Sequence, residues 1–444
     1  MSDTQQFRLA WLGEAGPAGW DDPARPATLD WTRPEPYVEM ARVLDNAGVD
    51  FVLFDDAPAI PGVHRGSRDA LVERGFGLPR LDAAVLAPML AVHTRSIGFV
   101  PTLSTRTYAP YLLARLLATL DHVTGGRIGW NVSTAITPDA ADVFGLPAFG
   151  LPDVPAGAAD DDLVDEYLQI VTGLFAGWEP DALVLDVEAG VFADPAKVHA
   201  LDFAGRYFRV RGPLNIVPSP QGRPLIVTGD VSPGGLRRAG RYADVVVAAS
   251  GSVDDMRAVR AEARAAAVDA GRDPDELQVL FLVEPLIART DSALAAATAA
   301  VPPADRLERG LAWLSAATGV DMAGENLDRP PRAELTAGGG LSLRHVLAGR
   351  ATAPLREIAE AIGAGATFDL HGSHEALADR LEELFDAVGG DGFVIRGRWT
   401  PTHVTAIADQ LVGELRRRGR VAPPATGSTL RRRVTADEAG AIAR

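Results

Sequence analysis

Residues 97–133, IGFVPTLSTRTYAPYLLARLLATLDHVTGGRIGWNVS, hold the unit from which the rest of the chain can be read. Residues 97–104 and 127–133 are short apolar runs of strand type, and between them 108–120 is rich in Ala and Leu, as a helix is. A strand, a helix and a second strand in succession make a unit whose strands lie parallel. Working outward, runs of the same kind recur at 7–13, 49–56, 224–229, 244–249, 277–288 and 391–396, which brings the total to eight. Stretches such as FVLF, PLIV and DVVV are apolar on both faces, the mark of a parallel sheet covered by helices. Eight such strands alternating with helices predict a closed α/β (β/α)₈ TIM barrel rather than an open sheet.

The intervening segments supply the helices. Residues 36–47 carry apolar side chains at helical spacing and stop at Gly48. A further helix is expected at 161–175, and Ser373 can cap one over 375–388 that leads into the last strand. We read residues 1–420 as one barrel domain. Two stretches are too long for simple loops: about 138–220 after the fourth strand, and about 302–350, with Gly338–Gly340, before the eighth. Insertions at the C-terminal ends of barrel strands form lids or substrate walls. Residues 421–444, with Arg431–Arg433, read as a C-terminal tail, a mobile terminus or an oligomer contact.

Composition narrows the functional classes. With 43 Lys+Arg against 59 Asp+Glu, the formal charge of −16 repels phosphate backbones and anionic lipid, so neither nucleic acid nor membrane is an expected partner. The chain has no cysteine, which excludes disulfides, thiolate ligands and a thiol nucleophile. No basic segment followed by an apolar run opens the chain, and a cytoplasmic location is expected.

Barrel chemistry gathers at the C-terminal ends of the strands. The second strand ends in Asp55-Asp56, the third runs through Thr102 to Ser104, the fourth contains Asn131, and the fifth ends in Thr228-Gly229-Asp230. Taken singly, Asp56 could cap a loop, Thr102 could satisfy backbone groups and Asn131 could be a turn residue. Four polar strand ends facing one mouth make a site the better reading. The turn Ser232-Pro233-Gly234-Gly235 opens a helix, where amides and a hydroxyl can hold a phosphate, or where Ser232 is only an N-cap. The eight histidines contain one close pair, His371 and His374, without a carboxylate companion, so no metal site is expected. A G-x-S-x-G elbow and a Walker loop are both missing, which weakens hydrolase and NTPase readings. No catalytic residue is assigned.

Residues 93–135 closely resemble the nitrilotriacetate, EDTA and dibenzothiophene-sulfone monooxygenase group of the bacterial luciferase-like superfamily of flavin-dependent monooxygenases. Further matches are EYLQIVTGLFAGW at 166–178, FADPAKVHALDFAGRYFRVRGPLN at 192–215, SPQGRPLIVTGDVSPGG at 219–235 and YADVVV at 242–247. The resemblance implies a two-component enzyme. A separate NAD(P)H-dependent flavin reductase delivers reduced FMN, and this chain uses it with oxygen on a small organic substrate, as a homo-oligomer. It also implies cofactor-binding roles for Asp56, Thr102, Asn131 and, allowing one extra residue after Gly229, Ser232. Where the group carries a His and, four residues on, a Tyr against the flavin, this chain has Gly157 and Asp161, within an acidic run Asp160–Asp162. That departure keeps two alternatives open: a deazaflavin- or flavin-dependent dehydrogenase of the superfamily, and a catalytically silent flavin-binding barrel.

Overall fold

Alternate residues along each long run serve two different cores, which is why the runs are apolar on both faces. The computed structural model describes residues 5–17, 30–57, 59–75, 78–134, 138–145, 151–152, 161–288, 290, 303–332, 340–365 and 367–435. Ala10, Leu12, Phe51, Leu53, Val247 and Leu282 meet inside a closed barrel. Their neighbours Leu9, Trp11, Val52, Phe54, Val246 and Phe281 pack outward beneath the helices.

The barrel strands are β1 (Arg8–Glu14), β2 (Phe51–Asp55), β3 (Gly98–Ser104), β4 (Gly129–Ser133), β9 (Leu225–Thr228), β10 (Val245–Ala248), β11 (Gln278–Val283) and β14 (Gly392–Arg396). They close in the order β1-β14-β11-β10-β9-β4-β3-β2, every pairing parallel. All eight expected runs are therefore barrel strands. One is divided: 277–288 breaks at Glu284, and β12 (Pro285–Ile287) leaves the barrel to pair with β13 (Leu370–Gly372).

The helices, in chain order, are α1 (Glu35–Ala47), α2 (Asp69–Arg74), α3 (Ala83–Ala91), α4 (Pro110–Thr124), α5 (Pro138–Phe144), α6 (Asp161–Phe175), α7 (Pro233–Tyr242) and α8 (Val253–Asp269). After them come α9 (Pro303–Thr318), α10 (Leu341–Leu347), α11 (Leu355–Gly363), α12 (His374–Val388), α13 (Pro401–Ala406), α14 (Gly413–Arg417) and α15 (Leu430–Thr435). Gly48, at φ +91°, stops α1, and the Ser373 hydroxyl accepts the Ala376 N–H to start α12. Among the described residues no helix is long and apolar enough to cross a membrane.

Both insertions differ in detail from expectation. Helix α6 lies within 138–220, yet it packs on α4 and α7 as the barrel's own helix between β4 and β9. The added chain after it forms two hairpins, β5 (Leu183–Asp186) with β6 (Val191–Ala193) and β7 (Phe203–Ala204) with β8 (Arg209–Val210). The Glu166 carboxylate of α6 accepts the N–H groups of Arg206, Tyr207 and Phe208, which holds the second hairpin down. In the other insertion α9 crosses α11 closely: a Cβ on Gly310 would strike the backbone at Ala359, and one on Gly363 the backbone at Arg306. Buried His64 anchors this pair by contacts to Glu308 and Ser315 of α9, at 2.9 and 3.2 Å. Gly338 and Gly339 lie outside the described residues.

The C-terminal segment corrects the expectation of a mobile tail. Helix α15 closes the floor of the barrel, where Leu430 and Val434 are wholly buried in the interior core. The Leu430 N–H donates to Gly126 O at 2.8 Å, and Arg431 pairs with buried Asp244 at 3.1 Å. Burying that much apolar surface outweighs the entropy of ordering a short terminus. Residues 436–444 lie outside the described residues.

Candidate active site

The alternation that builds the interior core also selects what stands at its upper rim. One step above the Leu12, Leu53, Val100 and Leu282 layer come Glu14, Asp55, Thr102 and Glu284, with Asn131 opposite Thr102 in the β3–β4 register. Arg396 ends β14 on the same inward row, following Val394. The mouth is a ring of polar groups over an apolar shaft.

Thr102 and Asn131 form one fixed unit. The Thr102 hydroxyl donates to Phe54 O at 2.7 Å, so its oxygen must accept, and it accepts Asn131 Nδ2 at 2.8 Å. That sets the amide orientation. Asn131 Oδ1 is then left buried without a hydrogen-bond partner, an acceptor open to a donor.

Asp56 lies just past β2, and its carboxyl is pushed up to about 6. Burial is the main cause, aided by Asp55 and Asp82 and opposed by Arg80. Asp55 is its inward neighbour, 3.7 Å from Arg80 and 3.5 Å from the Ser342 hydroxyl. Burial alone would lower Arg80, but Asp55, Glu14 and Asp56 hold it above its ordinary value.

Across the mouth stands a second polar group that no sequence argument selected. Burial works to raise the Glu284 carboxyl, but Arg396, His345 and Thr367 overcome it and bring it down to about 2. Its Oε2 accepts from Thr367 at 2.8 Å and from Arg396, and His345 Nε2 lies 3.5 Å away. Asp369 takes the Glu284 N–H at 2.7 Å, and burial raises its carboxyl against the pull of His345. The available signal was Glu284 itself, a charge set inside the apolar run 277–288.

Helix α10 lies across this mouth. Leu341 enters the interior core against Gly229, Arg344 donates to Gly229 O, Ser342 faces Asp55 and His345 faces Glu284. Residues 341–347 of the second insertion thus supply the cover.

Ser232 stands at the head of α7, one strand away from Asn131. Its hydroxyl accepts the Gly235 N–H at 3.0 Å, so the serine is an N-cap. Asp161 falls in the same place: its carboxylate lies against Gly234 and pairs with Arg238 at 2.5 Å and Arg237 at 3.5 Å. Gly157 and Asp160 lie outside the described residues. His374 opens α12 and lies 3.1 Å from Glu375.

An eight-stranded parallel barrel with its polar groups gathered at the C-terminal mouth under an inserted helix is an enzyme scaffold. The family model for luciferase-like monooxygenases matches residues 14–430, and this chain belongs to that family as an oxidoreductase. It is 32% identical over 443 residues to dibenzothiophene-sulfone monooxygenase of Rhodococcus erythropolis strain XP, with 97% of each chain covered. It is also 32% identical over 447 residues to nitrilotriacetate monooxygenase component A of Aminobacter aminovorans, covering 97% of this chain and 96% of that one. The crystal structure of riboflavin lyase, with modified FMN and its substrate riboflavin, matches with a TM-score of 0.86 at 30% identity, covering 98% of this chain and 96% of that chain.

Proposed function

We propose that this chain is the oxygenase of a two-component, FMN-dependent monooxygenase that accepts reduced FMN from a separate NAD(P)H-dependent flavin reductase. The observation that carries the reading is the buried, partnerless Asn131 Oδ1, locked in orientation by Thr102 at the barrel mouth. Such an atom is costly unless a ligand donor meets it, and a flavin ring carries such a donor. When bound, the flavin supplies oxygen activation toward a small organic substrate.

The chain's own residues have definable tasks in this reading. Asn131 orients the ring through one hydrogen bond, and Asp56 and Thr102 stand beside it at neighbouring strand ends. The Glu284–Arg396–His345 group forms the opposite wall, where an ion pair held in a dry site fixes polar substrate atoms. Helix α10 excludes bulk water from the shaft. Ser232 shapes the head of α7, where a phosphate would reach the positive end of the helix.

One relative supports the two-component form by its name, the nitrilotriacetate monooxygenase component A. A cytoplasmic location fits a dependence on NAD(P)H. Association as a homo-oligomer fits the exposed Val85 of α3, Val92 just past its end and the exposed Leu112 and Val123 of α4. The test is a titration of oxidised and reduced FMN against the purified protein, followed by oxygen uptake with a flavin reductase and NADH. Reduced FMN should bind the more tightly, and, because free reduced FMN reoxidises in air on its own, adding this chain should lower the hydrogen peroxide released per oxygen consumed relative to the reductase alone. Flavin binding without oxygen use would point to the dehydrogenase alternative, and the absence of any flavin binding would overturn the cofactor.

A further inference from the structure

The head of α7 already holds an anion, and that anion belongs to the chain itself. Arg238, on the second turn of α7, is 7% exposed and bridges two carboxylates, Asp161 at 2.5 Å and Asp230 at 2.8 Å. Arg237 adds a second cation 3.5 Å from Asp161. The two glycines of the opening turn are bare for a reason: a Cβ on Gly234 would run into the Asp161 carboxylate, and a Cβ on Gly235 into Asp230. Asp230 is built into the turn, accepting the Ser232 N–H at 3.0 Å. Asp161 is not, for it comes from the first residue of α6 and its side chain is 45% exposed. One carboxylate is therefore part of the cradle and the other is a guest in it.

From this we infer that Asp161 is a tethered competitor for the phosphate of the flavin: it fills the anion seat at the head of α7, and a phosphate-bearing ligand must displace it to reach Arg238. The inference rests on the FMN reading above and concerns the phosphate end of that site. Charge decides the consequence. Arg237 and Arg238 are matched by Asp161 and Asp230, so an incoming phosphate meets a neutralised seat rather than an open pair of cations. The volume it needs, against Gly234, is the volume the Asp161 carboxylate takes. A cavity of about 20 Å³ bounded in part by Val132, Thr228, Asp230 and Arg238 adjoins the seat, room for one water and not for a phosphate. The chain should consequently bind flavins through the ring, with little gained from the phosphate.

The experiment compares FMN with riboflavin, which shares the ring and lacks the phosphate, on wild type, Asp161→Asn and Asp161→Ser, by quenching of flavin fluorescence. Asparagine removes the charge and serine also clears the volume while keeping a side chain suited to the start of α6. For the wild type the two dissociation constants should agree within a few-fold. Asp161→Ser should tighten FMN on the order of tenfold and leave riboflavin unchanged, with Asp161→Asn between. Inorganic phosphate at fixed ionic strength should raise the melting temperature of Asp161→Ser and not that of wild type. Wild type binding FMN a hundredfold better than riboflavin, or variants that weaken FMN, would overturn the inference and leave the cofactor reading standing. If neither flavin binds any of the proteins, the cofactor reading falls, and the phosphate melting shifts alone decide whether Asp161 holds an anion seat.

Discussion

The Asn131 amide and the Asp56 carboxyl show how much one residue's chemistry depends on where burial leaves it. Asn131→Ala removes the free Oδ1 and one neutral hydrogen bond to Thr102. We expect FMN to bind about five- to tenfold more weakly, roughly 1 kcal/mol, with melting temperature nearly unchanged. Equal affinity in the two proteins would show that Oδ1 does not meet the ring. For Asp56, burial lifts the carboxyl from 3.8 to about 6, so the folded state holds the proton better than the unfolded chain. Stability then falls as pH rises through that interval and stays lower above it. Asp56→Asn should therefore stabilise the protein at about pH 8, by on the order of 2 kcal/mol, and give little gain at about pH 4. Denaturant curves at the two pH values check this, and a gain that is the same at both would refute it.

At the scale of elements, the cover over the mouth is held on two sides, with Leu343, Val346 and Leu347 packed into the cluster of α9 and α11 and the remaining contacts made to the barrel. Helix α10 spans Leu341–Leu347 and is too short to persist without tertiary contacts. Its hold on the barrel combines Leu341 in the interior core with the Arg344 hydrogen bond to Gly229 O. Arg344→Ala should loosen α10 on its barrel side while the barrel strands stay protected, because a charged hydrogen bond contributes about 1.5–3 kcal/mol. Hydrogen exchange followed by mass spectrometry should show faster exchange confined to α10 and its flanks. Exchange accelerating equally in β9 and β11 would mean that the helix is part of the barrel's own cooperative unit. The opposite wall is less easily moved, since removing Arg396 would leave Glu284 buried without its main counter-charge.

For the molecule as a whole, the barrel is closed at both ends by chain from outside the eight repeating units. Leu341 plugs the mouth, and Leu430 with Val434 plugs the floor, all in one interior cluster. Leu430 presses on Gly98, where a Cβ would collide with it. Leu430→Ala should cost about 2–5 kcal/mol in chemical denaturation, as expected for a wholly buried leucine. A loss well under 1 kcal/mol would show α15 to be a loose appendage. The floor is also where Asp244 sits, held below its ordinary range against its own burial by Arg223 and Arg431. Its stabilisation is present above the normal carboxylate range and is lost as pH falls.

Local pattern settled the repeating architecture. Eight runs apolar on both faces could satisfy themselves only between an inner core and an outer layer of helices, and Gly48, Ser373 and the 161–175 helix marked element ends by local chemistry alone. Thr102 and Asn131 were legible as polar strand ends, because position on a strand fixes the face a side chain takes. What lay beyond reach depends on long-range contact. Glu284 with His345, Arg344 over Gly229, Asp161 at the head of α7 and α15 beneath the floor each join residues far apart in the chain. Periodicity says which face of an element is buried and nothing about which distant segment covers it. For that reason the sequence determined the barrel and its polar rim, and only the tertiary structure decided what closes the barrel and which charges neutralise one another there.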